Sequence, residues 1–317
     1  MKYFIGIDSG ASKTEFALLD ESGKIAGRCE LSGSSYRELG VGAVSSILKQ
    51  GVDQITIGLD RSDILGVCYG MSCYGEHPEE DQRAARQIEN ELALPMRFEN
   101  DVACAWAGSL AFQNGIMMLA GTGSMAWGRD INGVMHRCGG WSNFFSDEGS
   151  GYWLGRRTLE LFYKQSDGRA ERGPLYKIVR EYFSVTNDID LLGILDDQYL
   201  SSRKKVASLQ KLLFSAAHEG DITALMLYDE AAKELALMIK ALRNRIELLP
   251  GSPVSYAGGL WRAGETLLGP FRRELADTDM IFIDPLLTPA HGALLFAVDR
   301  FDPASLGRIR QTFLNQK

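Results

Sequence analysis

The chain has 317 residues, enough for two domains of ordinary size, and its 45% hydrophobic and 24% charged residues are typical of a globular protein. A net charge of −7 argues against a large nucleic-acid-binding surface, and no apolar run approaches the roughly 18–20 residues that a membrane-spanning helix needs. The N-terminus lacks the pattern of a signal peptide, so we expect a cytoplasmic protein without a membrane or nucleic-acid partner.

The first hundred residues alternate between strand and helix patterns. We predict strands at 2–8, 14–20, 24–31, 64–71 and 94–101, and helices at 38–59 and 79–92. Three strands in succession followed by strand–helix–strand units predict a mixed sheet with helices on its faces.

A second unit with the same opening begins near residue 112. Apolar runs at 115–120, 123–128 and 132–137 are separated by GTGS and by an Asn-Gly turn, which predicts three further strands and an internal structural repeat. Residues 149–249 are mostly helical, and the chain closes with strands at 254–261 and 280–285 and helices at 288–298 and 303–315. We therefore expect an N-terminal domain at 1–112 and a C-terminal domain with a helical insertion at 113–301, with the helix at 302–317 as an addition to the first domain.

Both units carry a small-residue hairpin loop, DSGASKT at 8–14 and GTGS at 121–124. Backbone N–H groups in such loops form a concave anion site, and small side chains let a phosphate approach. An ordinary β-turn explains either loop alone, but two loops at matching points of a repeat favour phosphate binding. Neither loop fits the Walker or the Rossmann pattern.

Two carboxylates follow predicted strands. Asp8 could hold Mg²⁺, directly or through water, and Asp101 could act as the base that accepts a hydroxyl proton during phosphoryl transfer. The simpler alternative for Asp101 is a helix N-cap. The five cysteines (Cys29, Cys68, Cys73, Cys104 and Cys138) form no C-x-x-C pair, so we expect buried thiols and a metal, if any, held by oxygen.

The segment RCGGWSNFFSDEGSGYWLG at 137–155 concentrates residue types that make binding sites. Gly139 and Gly140 allow an irregular turn, Trp141 offers a ring face, and Asp147 and Glu148 offer acceptors for sugar hydroxyls. A capped helix is the alternative. AGGLW at 257–261 follows a strand and could lie against a nucleotide's base and ribose.

These motifs resemble the N-acetylglucosamine kinase branch of the actin-like sugar-kinase superfamily. The likeness spans nearly the whole chain and is carried by IDSGASKT, END at 99–101, AGTGS at 120–124, CGGWSNFFSDEGSGYW at 138–153 and AGGLW. It implies two actin-like (ribonuclease H-like) α/β domains, each a mixed sheet with flanking helices, separated by a nucleotide and substrate cleft. It also implies ATP and Mg²⁺ as cofactors and, as a guess from the family, a homodimer.

By position, the resemblance makes Asp101 the catalytic base and Asp8 the Mg²⁺-side acid. The residues expected at ATP are Asp8, Gly10, Ser12, Lys13, Thr14, Gly121, Thr122, Gly123, Ser124, Gly258, Gly259 and Trp261. The residues expected at the sugar are Ser35, Asn100, Gly140, Trp141, Asp147 and Glu148.

The implied activity is ATP-dependent phosphorylation of an N-acetylated amino sugar, N-acetylglucosamine or N-acetylmuramate, with the 6-hydroxyl as the expected acceptor. Ser9, Ala11 and Ser12 replace two glycines and a threonine of the family's usual first loop, and Ser35 stands where an Asn is common. Two alternatives remain open: an activator ATPase of an acyl-CoA dehydratase or reductase carrying an iron–sulfur cluster, and a sugar sensor without turnover.

Overall fold

The computed structural model describes residues 1–10 and 13–316, and its described part divides into two compact units. The first unit is Met1–Asn114 together with the chain from Asp284 onward, and the second is Gly115–Ile283.

Each unit contains one five-stranded sheet. The first sheet holds β1 (Tyr3–Ser9), β2 (Lys13–Asp20), β3 (Ile25–Ser32), β4 (Ile64–Met71) and β5 (Met96–Asn100) in the order β3-β2-β1-β4-β5. The second holds β6 (Gly115–Ala120), β7 (Ser124–Arg129), β8 (Met135–Gly139), β9 (Pro253–Ala257) and β10 (Ile281–Phe282) in the order β10-β9-β6-β7-β8. In both sheets the first three strands are antiparallel and the last two run parallel to the first. The predicted repeat is therefore confirmed.

The described helices are α1 (Tyr36–Leu39), α2 (Val41–Ile55), α3 (Pro78–Leu92), α4 (Asp101–Ser109), α5 (Gly151–Ser166), α6 (Pro174–Phe183), α7 (Asp190–Gln198), α8 (Arg203–Ser208), α9 (Gln210–His218), α10 (Ile222–Arg245), α11 (Glu265–Leu275), α12 (Pro289–Phe301) and α13 (Leu306–Asn315). The mixed sheets with flanking helices predicted from the sequence are confirmed. Among the described residues, no helix combines the length and the apolar character needed to cross a bilayer.

Burial explains the strand patterns. The interior strand β4 is an almost continuous buried run, as the sequence ILGVCYGM predicts, because helices cover both faces of a parallel strand. The edge strand β3 instead alternates between half-buried and exposed residues. The first core gathers around Ile5, Phe16 and Leu48, and the second around Phe162, Leu235 and Phe271.

The predicted C-terminal domain ends at residue 301, but the second unit of the structure ends at Ile283. The difference arises because α12 packs in the first unit, against α4, β1 and β4. Two glycines allow this contact. A Cβ on Gly292 would lie 1.9 Å from the carbonyl oxygen of Cys104, and one on Gly108 would lie 2.3 Å from that of Thr288. The connection into α12 also donates backbone hydrogen bonds from Leu286 to Ser109 (3.0 Å) and from Leu287 to Gly108 (3.1 Å). The first domain therefore includes 284–301.

Candidate active site

In the first unit, two carboxylates lie at the carboxyl ends of parallel strands. Asp8 is in β1, opposite Gly70 of β4, and Asp101 follows β5, whose last residue Asn100 is opposite Met71 of β4. The strand order places β4 between them. Open α/β sheets bind ligands at this edge. The pair predicted from the sequence therefore shares one edge of one sheet.

Both carboxylates have raised pKa values. Burial raises the pKa of Asp101 to about 6, although hydrogen bonds from the Ser72 hydroxyl (3.0 Å) and the Val102 amide (3.0 Å) favour the ionised form. Burial, with repulsion from Asp101 and Glu15, raises the pKa of Asp8 to about 7. Such a pair can accept a proton or a cation near neutral pH.

The alternative role for Asp101 as the N-cap of α4 is wrong, because Asn100 occupies that position and accepts a hydrogen bond from the Val102 amide at 2.9 Å. The Asn100 side-chain nitrogen also donates to the carbonyl of Tyr74 at 2.7 Å. Asn100 therefore holds the start of α4 and the loop after β4, and Asp101 is left as the first helical residue.

Asp81, a buried aspartate that the sequence analysis missed, also holds the loop after β4. Its carboxylate accepts hydrogen bonds from the backbone amides of Gly75 (2.7 Å) and His77 (3.0 Å) and from the Tyr36 hydroxyl. Arg37 lies 3.7 Å away. Asp81 is the last residue of the run EED at the start of a helical pattern, where carboxylates ordinarily face solvent. The sequence therefore does not distinguish Asp81 from its two acidic neighbours, and only its burial in the structure does.

The first hairpin loop is closed by a hydrogen bond from the Gly10 amide to the Lys13 carbonyl at 2.9 Å. Lys13 is exposed and pairs with Glu30 at 2.7 Å. Thr14 is buried in β2, with its hydroxyl 2.9 Å from the Ser32 carbonyl and 2.8 Å from the Ser34 hydroxyl. The expected contact of the Thr14 side chain with phosphate is therefore not supported by its surroundings, and Ser12 lies outside the described residues.

The second hairpin loop is held by hydrogen bonds with residues 148–152. The Gly121 amide donates to the Gly123 carbonyl (2.9 Å), and the Gly151 and Tyr152 amides donate to the carbonyls of Gly121 (2.8 Å) and Thr122 (3.1 Å). The Ser124 hydroxyl donates to the carbonyl of Glu148 at 2.7 Å. The two predicted motifs at 121–124 and 137–155 therefore form one structure in the second unit.

The turn after β9 approaches this loop. Gly258 has a φ of +104°, and a Cβ there would lie 2.3 Å from the carbonyl oxygen of Ala120, so glycine is required. Trp261 is in a different environment: its ring is buried and packs on Phe271 at 4.9 Å between centroids. The prediction that Trp261 contacts the cofactor is corrected, because the ring belongs to the core.

A cavity of about 260 Å³ in the second unit brings together three of the expected nucleotide residues, Gly121, Thr122 and Gly259. It is lined by Gly121, Thr122, Gly151, Lys204, Ala207, Ser208, Gln210, Lys211, Gly259 and Leu260. Two lysines of α8 and α9 give it positive charge, and neither was predicted, since the helical insertion carries no motif. A larger cavity, of about 390 Å³ beside Tyr163 and Tyr176, contains none of the predicted residues.

Of the remaining expected sugar residues, all except Asp147 are at least partly exposed. Trp141 is 64% exposed and its ring lies 4.5 Å below the guanidinium of Arg137, while Gly140 has a φ of +72°, which favours glycine. Glu148 is half-buried and accepts a hydrogen bond from Ser146 at 3.2 Å. Ser35 stands at the N-cap of α1 without a capping side-chain bond. Asp147 is buried, and its carboxylate contacts Ser124 and Arg203.

Comparison with known proteins relates the chain to kinases of amino sugars. The chain is 28% identical over 285 residues to the N-acetylmuramic acid/N-acetylglucosamine kinase of Clostridium acetobutylicum, covering 87% of this chain and 90% of that protein. It is also 28% identical to the N-acetyl-D-glucosamine kinase of Dictyostelium discoideum, covering 81% and 84% of the two chains.

Among solved structures, a candidate N-acetylglucosamine kinase from Chromobacterium violaceum has a TM-score of 0.75 at 26% identity and covers 93% of this chain and 98% of its own. Residues 5–297 match the BadF/BadG/BcrA/BcrD ATPase family. The chain therefore belongs to the BadF/BadG/BcrA/BcrD ATPase family.

Proposed function

We propose that this protein is an ATP-dependent kinase that phosphorylates an N-acetylated amino sugar, N-acetylglucosamine or N-acetylmuramate, at its 6-hydroxyl. The observation that carries the proposal is the pair of carboxylates, Asp8 and Asp101, at one edge of one sheet with pKa values of about 7 and 6. The names of the relatives supply the sugar class.

Asp101 is the proposed base. A sugar hydroxyl is a weak nucleophile, and a carboxylate with a pKa near the working pH can accept its proton as the bond to phosphorus forms. The Ser72 hydroxyl bonds one carboxylate oxygen and the Val102 amide bonds the other, so the group is held in one orientation. These bonds keep the carboxylate oriented while leaving lone pairs for the substrate.

Asp8 is the proposed Mg²⁺-side acid. Its carboxylate oxygens suit a hard cation, and a divalent cation would offset the burial and the repulsion from Asp101 and Glu15 that disfavour its ionised form. Bound Mg²⁺ would neutralise charge on the phosphate oxygens. Lys13 stands near this acid and lowers its pKa slightly, but its ammonium is already paired with Glu30.

The second unit is proposed to supply the nucleotide pocket. The cavity beside Gly121, Thr122 and Gly259 is lined by small loop residues and by Lys204 and Lys211, and the positive charge of the two lysines suits an anionic ligand. Gly258 allows the turn after β9 to approach the loop. On the sugar side, the proposal keeps Ser35, Asn100, Gly140, Trp141, Asp147 and Glu148.

The test is ATP consumption with N-acetylglucosamine, N-acetylmuramate, glucosamine, N-acetylmannosamine and glucose, followed by phosphorus NMR of the product. We expect turnover with one or both N-acetylated glucose-type sugars and a phosphomonoester on the primary hydroxyl. Turnover of glucose alone would overturn the sugar class. Silence with every sugar, together with iron–sulfur absorbance, would favour the activator ATPase instead.

A further inference from the structure

Asp81 stands in the first turn of α3 and is almost fully buried. Only 1% of the residue is exposed, whereas the neighbouring Glu80 faces solvent. Its carboxylate accepts a hydrogen bond at 3.0 Å from the amide of His77, the N-cap of α3, which is an ordinary bond for an acid at a helix start. Two further contacts, with Gly75 and with Tyr36, go beyond what a helix start requires and need another explanation.

The first of these contacts fixes the end of the loop after β4, residues 72–77. The Gly75 amide donates to Oδ2 of Asp81 at 2.7 Å, and the His77 amide donates to the same oxygen. Hydrogen bonds to an ionised group are the stronger kind, and two of them meet on one buried atom. The end of the loop therefore cannot shift without leaving a buried charge short of its partners.

The start of the same loop carries the hydroxyl that orients the proposed base. Ser72 donates to Oδ2 of Asp101 at 3.0 Å. Cys73, the next residue, has a φ of +63°, a conformation that costs free energy in a residue other than glycine. Contacts at both ends must therefore hold the loop in this shape, and Asp81 supplies those at the far end.

The second contact joins Asp81 to α1. The hydroxyl of Tyr36, the first residue of α1, donates to Oδ1 of Asp81, and the Tyr36 ring is buried in the core of the first unit. On the other side of Ser35, the side chain of Ser34 is buried and donates to the Ser9 hydroxyl at 2.8 Å. Ser35 thus stands between two fixed neighbours, and one of them is fixed by Asp81.

We propose that Asp81 is a positioning residue that sets the place of Ser72, which orients the base, and of Ser35, on the sugar side. This inference rests on the proposed function, since it takes Asp101 as the base and Ser35 as a sugar contact. Asp81 acts through the 72–77 loop and through α1, and it is assigned no contact with the substrate. Because a different oxygen serves each of these two elements, their effects should separate in the kinetics.

The test compares Asp81→Asn, Tyr36→Phe, Ser72→Ala and the double variant of Asp81→Asn with Ser72→Ala. Glu80→Gln is the matched control, because it makes the same acid-to-amide change on an exposed residue of the same helical turn. Tyr36→Phe keeps the buried ring and removes its bond to Asp81, so it decides the question if Asp81→Asn does not fold. For each variant, kcat and the KM values for ATP and for N-acetylglucosamine and N-acetylmuramate are measured.

We expect Asp81→Asn to lower kcat about tenfold and to raise the sugar KM about tenfold, because small displacements of positioned groups cost large factors in rate. Tyr36→Phe should raise the sugar KM about fivefold and change kcat less than about twofold, since the loop contacts remain. In the double variant, kcat should be no lower than in Asp81→Asn, because both substitutions act on the same bond to Asp101. The KM for ATP should change less than about twofold in every variant, and Glu80→Gln should match the wild type.

The outcomes separate this inference from the proposed function. An unchanged sugar KM in Asp81→Asn and Tyr36→Phe overturns the inference and leaves the kinase assignment intact. A lower kcat with every KM unchanged, the result of a smaller folded fraction alone, also overturns it, as do kcat losses that multiply in the double variant. A wild-type protein that phosphorylates no sugar overturns both proposals.

Discussion

The hairpin loops of the two units stand at the same place in their sheets but are braced by different chemistry. Behind the first loop, neutral hydroxyls of Ser9, Thr14 and Ser34 bond one another. Behind the second, a carboxylate and a guanidinium form the Asp147–Arg203 pair. The first loop is therefore held by neutral hydroxyl groups (the neutral brace) and the second by an ion pair (the charged brace).

The largest expected effect comes from the first unit, which carries Asp8 and Asp101. Asp101→Asn should lower kcat by about 10²–10⁴-fold, the usual contribution of a positioned general base, while ATP affinity stays near that of the wild type. Steady-state kinetics and equilibrium ATP binding measure the two effects. Asp53→Asn, which removes an exposed carboxylate paired with Arg61, is the control. Full activity of Asp101→Asn would remove Asp101 from the mechanism.

The nucleotide side is tested by filling the space at the second loop. Gly123→Ala should raise the KM for ATP about tenfold, because the added Cβ would displace the Arg203 guanidinium and the buried Asp147 carboxylate from their positions beside the loop. Gly193→Ala is the matched control, since a Cβ there meets no atom within 4 Å. Equal kinetics for the two alanine variants would contradict the charged brace.

The neutral brace should matter for stability more than for affinity. Thr14→Val keeps the side-chain shape but removes the hydrogen bonds of the Thr14 hydroxyl with the Ser32 carbonyl and the buried Ser34 hydroxyl, so the free energy of unfolding should fall by about 1–3 kcal/mol. Urea unfolding measures this, and the KM for ATP should change less than about twofold. Thr312→Val, which removes an exposed hydroxyl bond to Arg308, should cost only a few tenths of a kcal/mol.

The acid-bearing unit should also show a specific pH dependence of stability. Because the pKa of Asp8 is raised from 3.8 to about 7, the folded protein binds the extra proton, and stability contributed by this group is lost as pH rises through 7. Asp8→Asn should therefore raise the free energy of unfolding at pH 8 by about 1–3 kcal/mol and change nothing below about pH 4.

Asp20 gives the opposite sign and serves as the control for Asp8. Its pKa is lowered because, against the effect of burial, its carboxylate accepts hydrogen bonds from Ser22 and Lys24. Asp20→Asn should destabilise the protein above about pH 4. Destabilisation by both substitutions at pH 8 would contradict the proposed repulsion at Asp8.

The smallest expected effect concerns the orientation of the base. The Ser72 hydroxyl bond lowers the pKa of Asp101 against the effect of burial, so Ser72→Ala should move the acidic limb of the kcat profile to higher pH by up to about one unit. Ser46→Ala, which removes an exposed bond within α2, should leave the profile unchanged. A shift of the acidic limb to lower pH in Ser72→Ala would show that the Ser72 hydrogen bond favours the protonated form of Asp101.

The amino-acid sequence by itself determined the repeat of two mixed sheets, since hydrophobic periodicity and turn residues are local properties of the chain. It also identified Asp8, Asp101 and the glycine loops, because residue type and position after a strand are readable one segment at a time. The tertiary structure alone decided which carboxylates are buried and paired: Asp81 beneath its loop and Asp147 against Arg203 depend on contacts between distant segments. It also placed Trp261 in the core and α12 in the first unit, because burial is a property of packed elements rather than of the motif in which a residue stands.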